Sequence, residues 1–161
     1  MAGLTDVPFR TLAWRFGVGH MVSEMVASKL DLWHTQKSQL RREALPCAAP
    51  TAVQMAGNEP AVMAETARRL VDEGAELVDI NFGCPAKKVC RRAAGSALLG
   101  DLDRVAAIVE TVATAVAVPV TIKTRTGLVV DDRIGAAAVR AAEQAGARMV
   151  VIHGRSRACK F

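Results

Sequence analysis

Aromatic side chains are nearly missing from this chain. None of its 161 residues is Tyr, two are Trp and four are Phe, 4% together. The core must therefore be built from the abundant Ala, Val and Leu, as in layered α/β proteins. Long apolar runs are missing too: none approaches the roughly 18 residues of a membrane span, so no membrane association is expected. The first residues carry no basic-then-apolar export signal, which leaves the cytoplasm as the expected compartment. The four cysteines, Cys47, Cys84, Cys90 and Cys159, form no C-x-x-C pair, and His20, His34 and His153 form no H-E-x-x-H. Zinc ribbons, thioredoxin-type motifs and zincins are thereby unsupported, and no metal site is expected. G-x-G-x-x-G and Walker motifs are also lacking.

What is present describes a globular chain. Hydrophobic residues make up 51% and charged residues 23%, outside the disordered range, and the length is that of one domain. The net charge is +5 and the pI about 9.4. That balance suits a polyanionic partner such as nucleic acid, and equally a mildly basic metabolic protein.

Apolar runs alternate with amphipathic stretches along the chain. Asp6-Val7-Pro8 opens a helix, an acidic cap followed by Pro in the first turn, which ends at Gly17. A strand is expected over residues 19–24, and a charged helix over 28–45, closed by Pro46 and Pro50. Residues 51–55 predict the next strand, Asn58 caps a helix with Pro60 in its first turn, and 77–81 is again a strand. After a polar segment, Asp101 caps a helix, 119–123 is a strand, Asp131 and Asp132 cap a helix to Gly146, and 149–153 is a β-branched strand. Units of roughly 25–40 residues with continuous apolar strands are the cadence of βαβ units in a buried parallel sheet. An open doubly wound sheet and a (β/α)₈ barrel both fit.

Polar residues recur where these strands end: Glu24, Gln54, Asn81, Lys123 with Arg125, and His153 with Arg155. In a barrel those ends surround the active site. Buried polar groups are costly without partners, so the recurrence suggests a shared polar ligand; solvated strand ends are the plainer alternative. A cationic Lys123 suits the pyrimidine edge of a reduced flavin or a phosphate. In Asn81-Phe82-Gly83-Cys84-Pro85, Gly83 lets a ligand approach the backbone and Pro85 fixes the chain beyond the thiol. Cys84 is thus expected at the mouth of the barrel, as nucleophile, metal ligand or proton donor. A free cysteine titrates near about 8.5 and is mostly protonated at neutral pH, so it can act as a general acid. Lys87 and Lys88 follow at once, then Arg91 and Arg92, while Arg155, Arg157 and Lys160 crowd another strand end. On one face these groups would form a cationic rim that draws RNA phosphates in a salt-dependent way. Lys37, Arg41 and Arg42 fit an ordinary solvated face.

Taken in order, several segments resemble one family: Met1-Ala2-Gly3-Leu4-Thr5-Asp6-Val7-Pro8-Phe9-Arg10, Val22-Ser23-Glu24-Met25, Val53-Gln54-Met55-Ala56-Gly57, Asp79-Ile80-Asn81-Phe82-Gly83-Cys84-Pro85-Ala86-Lys87-Lys88-Val89, Gly95-Ser96-Ala97-Leu98-Leu99, Ile122-Lys123-Thr124-Arg125-Thr126-Gly127 and Ile152-His153-Gly154-Arg155-Ser156-Arg157. The set is similar to the bacterial tRNA-dihydrouridine synthases, B-type subfamily, from end to end. The resemblance implies an FMN-containing (β/α)₈ TIM barrel followed by a small helical tRNA-binding domain, monomeric when complete. It implies that NADPH reduces the flavin, that hydride passes to C6 of a uridine in tRNA, and that a cysteine protonates C5 to give 5,6-dihydrouridine. On these motifs Cys84 matches the proton donor. Met1, Ala2, Gln54, Lys123 and His153 match the flavin contacts, and Asn81 and Arg125 the substrate and flavin neighbourhood, with Lys87, Lys88 and Arg155 as tRNA contacts on the rim. Relatives commonly carry a polar residue such as Asn at the position of Cys90. They also begin about a strand earlier and continue beyond the sixth strand. Residues 1–161 are therefore expected to be an incomplete catalytic barrel, holding the end of strand 1 and about strands 2 to 6, without the last barrel units and the helical domain. Another FMN barrel, such as a dihydroorotate dehydrogenase or enoate reductase, and an inert or weakly RNA-binding fragment are the alternatives.

Overall fold

Parallel pairing runs through five strands in the computed structural model, which describes residues 4–45 and 50–159. The strands are β1 (Val26–Ala27), β2 (Ala52–Ala56), β3 (Leu77–Asn81), β4 (Val120–Arg125) and β5 (Met149–His153), in spatial order β1-β2-β3-β4-β5. Every neighbouring pair is parallel. The order never reverses, and right-handed crossovers then put all connecting helices on one face. A doubly wound sheet needs a reversal to cover both faces. The architecture is therefore α/β of the barrel type, five parallel strands of an incomplete (β/α)₈ ring.

The crossover helices are α3 (Pro60–Asp72), α5 (Leu102–Ala115) and α6 (Ile134–Gln144). Their apolar positions recur at helical spacing: Met63, Ala67 and Leu70; Val105, Ile108, Val109 and Val112; Ala138 and Ala142. All are buried, against Val53, Met55, Val78, Ile80 and Ile122 on the outer side of the strands. These small aliphatics, with the buried Phe82 and Trp33, make the core. Alternate strand residues point the other way, so Gln54, Asp79, Thr121 and Lys123 belong to the inner side. Among the described residues no helix is long and apolar enough to cross a membrane.

Several local expectations hold. Asp6 caps α1 (Val7–Arg15) through its side chain, and Asp101 caps α5 in the same way. β3 and β5 fall on the expected residues. Others are corrected. The strand expected over 19–24 is a single bridge, Val22 to Ala52, and regular pairing begins only at Val26. The helix expected over 28–45 is a short 3₁₀ turn (Leu30–Leu32) followed by α2 (Gln36–Arg42). Thr35 interrupts it in an extended conformation and caps α2 by accepting from Ser38 N. Trp33 supplies the tertiary reason: its Nε1 donates to Glu73 (2.9 Å), and the Arg42 guanidinium stacks 3.9 Å from its ring. The cap of α3 is Glu59, not Asn58, and that of α6 is Arg133. Asp132 still accepts from Ile134 N, and from Leu128 N as well. The polar segment after β3 contains α4 (Lys87–Cys90) and a 3₁₀ turn (Gly95–Gly100).

Candidate active site

The inner side of the sheet is polar from its middle to its C-terminal end. Register places Gln54 beside Asp79 and Asp79 beside Thr121 in one row. Asn81 and Lys123 form the next, and Arg125 with His153 the last. Gln54 therefore lies in the middle of β2, not at the strand end where the sequence pattern put it. Gln54, Asp79 and Thr121 are all buried and satisfy one another. Asp79 accepts from Thr121 Oγ1 and from Gln54 Nε2, both at 2.6 Å, and Gln54 Oε1 accepts from Asn81 Nδ2 at 2.8 Å. Burial, the larger effect, pushes the Asp79 carboxyl up, against the two hydrogen bonds and the charges of His20 and Lys123. A cavity of about 360 Å³ opens over this row. Gln54, Asp79, Lys123 and Val151 line it on one side, Phe9, Arg10 and Ala13 of α1 on the other.

Cys84 sits in the loop leaving β3, and that loop is held from two directions. Asn81 Oδ1 accepts from Cys84 N at 2.8 Å and from Gly83 N at 3.1 Å. On the far side Ser96 donates twice to the Cys84 carbonyl, from Oγ at 2.9 Å and from N at 3.1 Å. Cys90 Sγ adds a weak contact at 3.5 Å. Gly95 makes this approach possible: its φ is +61°, and a Cβ there would stand 2.8 Å from the Cys84 oxygen. The thiol itself is half-buried. Backbone rigidity with an accessible thiol suits proton delivery to a ligand above the loop.

Cations gather beside this loop. Lys123 is pushed down by burial and then by Arg125, with Asp79 opposing. His153 is pushed down by burial, then by Arg125, Lys123 and Arg155. Like charges that depress one another favour an anion among them. Arg125 is fully buried, and its guanidinium has structural work: Nε donates to Gly83 O at 2.6 Å and Nη1 to Ser156 O at 3.0 Å. It ties the Cys84 loop to the loop after β5. Burial lowers its pKa, countered by Cys84 and Cys159. Lys87 and Lys88 on α4, Arg91 and Arg92 behind them, and Arg155 are exposed.

The geometry thus brings Asn81, Cys84, Lys123, Arg125 and His153 to one end of the sheet, with Arg155 beside them and Gln54 one row below. Cys84, Asn81 and His153 do not line the cavity itself, which opens lower down. Met1, Ala2 and Lys160 lie outside the described residues. Sequence reasoning passed over Asp79, Thr121 and Ser96. A period-two reading of β3 would have found Asp79, an acidic residue on the inner side of an apolar strand. Nothing in the sequence announces that Ser96 meets the Cys84 carbonyl twelve residues back.

The family model of the dihydrouridine synthases (Dus) matches residues 1–161. The chain belongs to this family. It is 53% identical over 158 residues to tRNA-dihydrouridine synthase B of Pseudomonas aeruginosa PAO1, covering 98% of this chain and 48% of that relative. It is 51% identical over 157 residues to the protein of that name from Xanthomonas campestris pv. campestris, covering 98% and 47%. With its namesake in Escherichia coli K12 the identity is 48% over 161 residues, covering 100% and 50%. The chain spans about half the length of the curated dihydrouridine synthases it matches. Dihydrouridine synthases are flavin-dependent, and the donor set here suits a flavin nucleotide: a buried amide, a lysine and a histidine among repelling cations. The Gln54 side-chain Oε1 and Nε2 each keep hydrogen-bonding capacity beyond the one bond they already make.

Proposed function

We propose that this chain forms part of an enzyme that reduces uridines in tRNA to 5,6-dihydrouridine, and that Cys84 is its proton donor. The observation that carries the proposal is the pairing at one strand end of a half-buried thiol on a doubly anchored loop with the Lys123–Arg125–His153 cations. FMN, reduced by NADPH, would supply the hydride for C6 of the uridine. Lys123 and Gln54 would hold the flavin ring and His153 a further part of the cofactor; Met1 and Ala2 are proposed as additional contacts. Asn81 would meet the uracil, and Arg125, which ties the Cys84 loop to the loop after β5, would support it. Lys87, Lys88 and Arg155 would contact tRNA phosphates. The target uridine must leave its stack to reach a site at a sheet end. The exposed β5 residues Met149, Val151 and Ile152 would pack against further barrel units, with a helical domain gripping the tRNA in a cytoplasmic, monomeric whole.

The test uses the complete reading frame that carries this chain. Purified protein is expected to be yellow with bound FMN and to form dihydrouridine on unmodified tRNA with NADPH. Turnover of dihydroorotate with none on tRNA would replace this function by that of a different flavin barrel. A colourless, inactive protein would leave only RNA binding.

A further inference from the structure

The hydrogen bonds under Cys84 form one directed chain. Thr121 Oγ1 donates to Asp79 Oδ1, and Gln54 Nε2 donates to Asp79 Oδ2. Asn81 Nδ2 donates to Gln54 Oε1, and Asn81 Oδ1 accepts from the backbone N–H groups of Gly83 and Cys84. Two of its members are primary amides, which present a donor at one end and an acceptor at the other. Left alone, each could point either way. We propose that Asp79 is a positioning residue for Cys84: its carboxylate, buried two rows below the thiol, sets the direction of the Gln54–Asn81 relay and so keeps an acceptor under the Cys84 loop.

Reversing the relay shows why. A reversed Gln54 would turn Oε1 toward Asp79 Oδ2, two acceptors now 2.6 Å apart. Its Nε2 would then face Asn81 Nδ2, unless Asn81 reversed as well. A reversed Asn81 would aim Nδ2 at Gly83 N–H and Cys84 N–H, donor against donor. Every alternative loses a bond in a buried setting, where unpaired polar groups are most costly. Protonation of Asp79 leaves the direction intact. The Thr121 hydroxyl can turn so that its oxygen accepts a hydrogen bond from the new Asp79 O–H, while Oδ2 still accepts from Gln54. What the relay needs at position 79 is an acceptor of fixed position, and full burial supplies the fixed position.

This inference rests on Cys84 being the proton donor for its catalytic meaning, but its structural content is measurable without turnover. Backbone amide exchange of Gly83 and Cys84 is to be followed in the complete protein, with the β3–β4 ladder amides as internal reference. Asp79→Leu keeps the branched shape, with bulkier methyl groups in place of the oxygens, and removes the acceptor. It should raise exchange at those two amides by about tenfold, the loss of roughly one net hydrogen bond, and leave the ladder unchanged. Asp79→Asn keeps an acceptor toward Gln54 and can donate to Thr121 Oγ1, so exchange should stay within about twofold of the parent. Gln54→Met should release the same two amides, and adding it to Asp79→Leu should do no more, since links of one chain are not additive. In the tRNA assay Asp79→Leu should lower kcat about tenfold with KM for tRNA unchanged, the signature of a misplaced reacting group. Gly83 and Cys84 amides still protected in Asp79→Leu, or released equally in Asp79→Asn, would overturn the relay. If Asp79→Leu does not fold, Gln54→Met decides: protected amides there overturn it too. Released amides in a protein with no dihydrouridine activity would leave the relay standing and remove only the role given to Cys84.

Discussion

Adjacent residues of β3 live in opposite chemistries. Val78 and Ile80 are fully buried among the aliphatics of α3 and α5, while Asp79 and Asn81, one step away, face a polar interior. The same division runs through β2 and β4: Val53 and Met55 against Gln54, Val120 and Ile122 against Thr121 and Lys123. The outer face is aliphatic at these positions and draws its stability from burial, about 1.5–3 kcal/mol for each large aliphatic. The inner face does the reverse, with a buried carboxylate, two amides and neighbouring cations. Such a face is tolerable because the carboxylate and the two amides are tied to one another, and because the outer packing holds the strands still. The division teaches that the site is a property of register: a one-residue slip in any strand would exchange the two faces.

The strongest way to break this comparison is at its two extremes. Cys84→Ala should keep FMN bound and reduce dihydrouridine formation by about 10²–10⁴, the usual contribution of a positioned general acid. Undiminished dihydrouridine on tRNA would remove the thiol from the chemistry. On the outer face, Ile80→Ala should cost about 2–5 kcal/mol of stability through transfer and cavity effects. That is read as a lower urea midpoint at unchanged flavin affinity. If Ile80→Ala loses flavin before it loses stability, the two faces are not separable.

How much of this was legible in the sequence follows the same division. The outer face announces itself, because burial leaves a periodic trace: Met63, Ala67 and Leu70 on α3, or Val105, Ile108 and Val112 on α5. Caps that act within four residues, Asp6 and Asp101, were legible for the same local reason. The segment 19–45 was not, since its course depends on Trp33 reaching Glu73 forty residues on and Arg42 closing over the ring. Charge and length suggested one long helix there, and tertiary contacts divided it. Site residues were legible where they followed apolar runs, as Lys123 and His153 do. Asp79 was open to a period-two reading of β3, but its partners, like that of Ser96, lie twelve or more residues away and were hidden. The cadence alone left barrel and open sheet both open; the ordered motifs pointed to the barrel, and the strand order agrees.

Smaller effects sharpen the comparison. Ser96→Ala removes one of the two Ser96 donors on the Cys84 carbonyl and leaves the backbone N–H in place. A net loss of about 1 kcal/mol is expected, with a few-fold fall in kcat and no change in flavin content. A stability loss with full kcat would show that the Asn81 side alone holds the loop.

The smallest effect is a matter of protonation at the open end of the inner face. The His153 pKa lies below its ordinary value because burial and the charges of Arg125, Lys123 and Arg155 disfavour the imidazolium. The folded chain therefore binds its proton less readily than the unfolded chain does. By linkage the stability contributed by His153 is present above the unfolded value of about 6.5 and is lost as pH falls through it toward the folded value. An anion seated among these cations reverses the balance, since it favours the charged imidazole. Titration of His153 by NMR should thus give a midpoint below that of a free histidine, moved upward by FMN and to a lesser degree by inorganic phosphate. A midpoint that ignores both ligands would mean that the anion-favouring field of Lys123, Arg125 and Arg155 has no anion to receive at His153, and the flavin contact given to that residue would have to move elsewhere on the sheet.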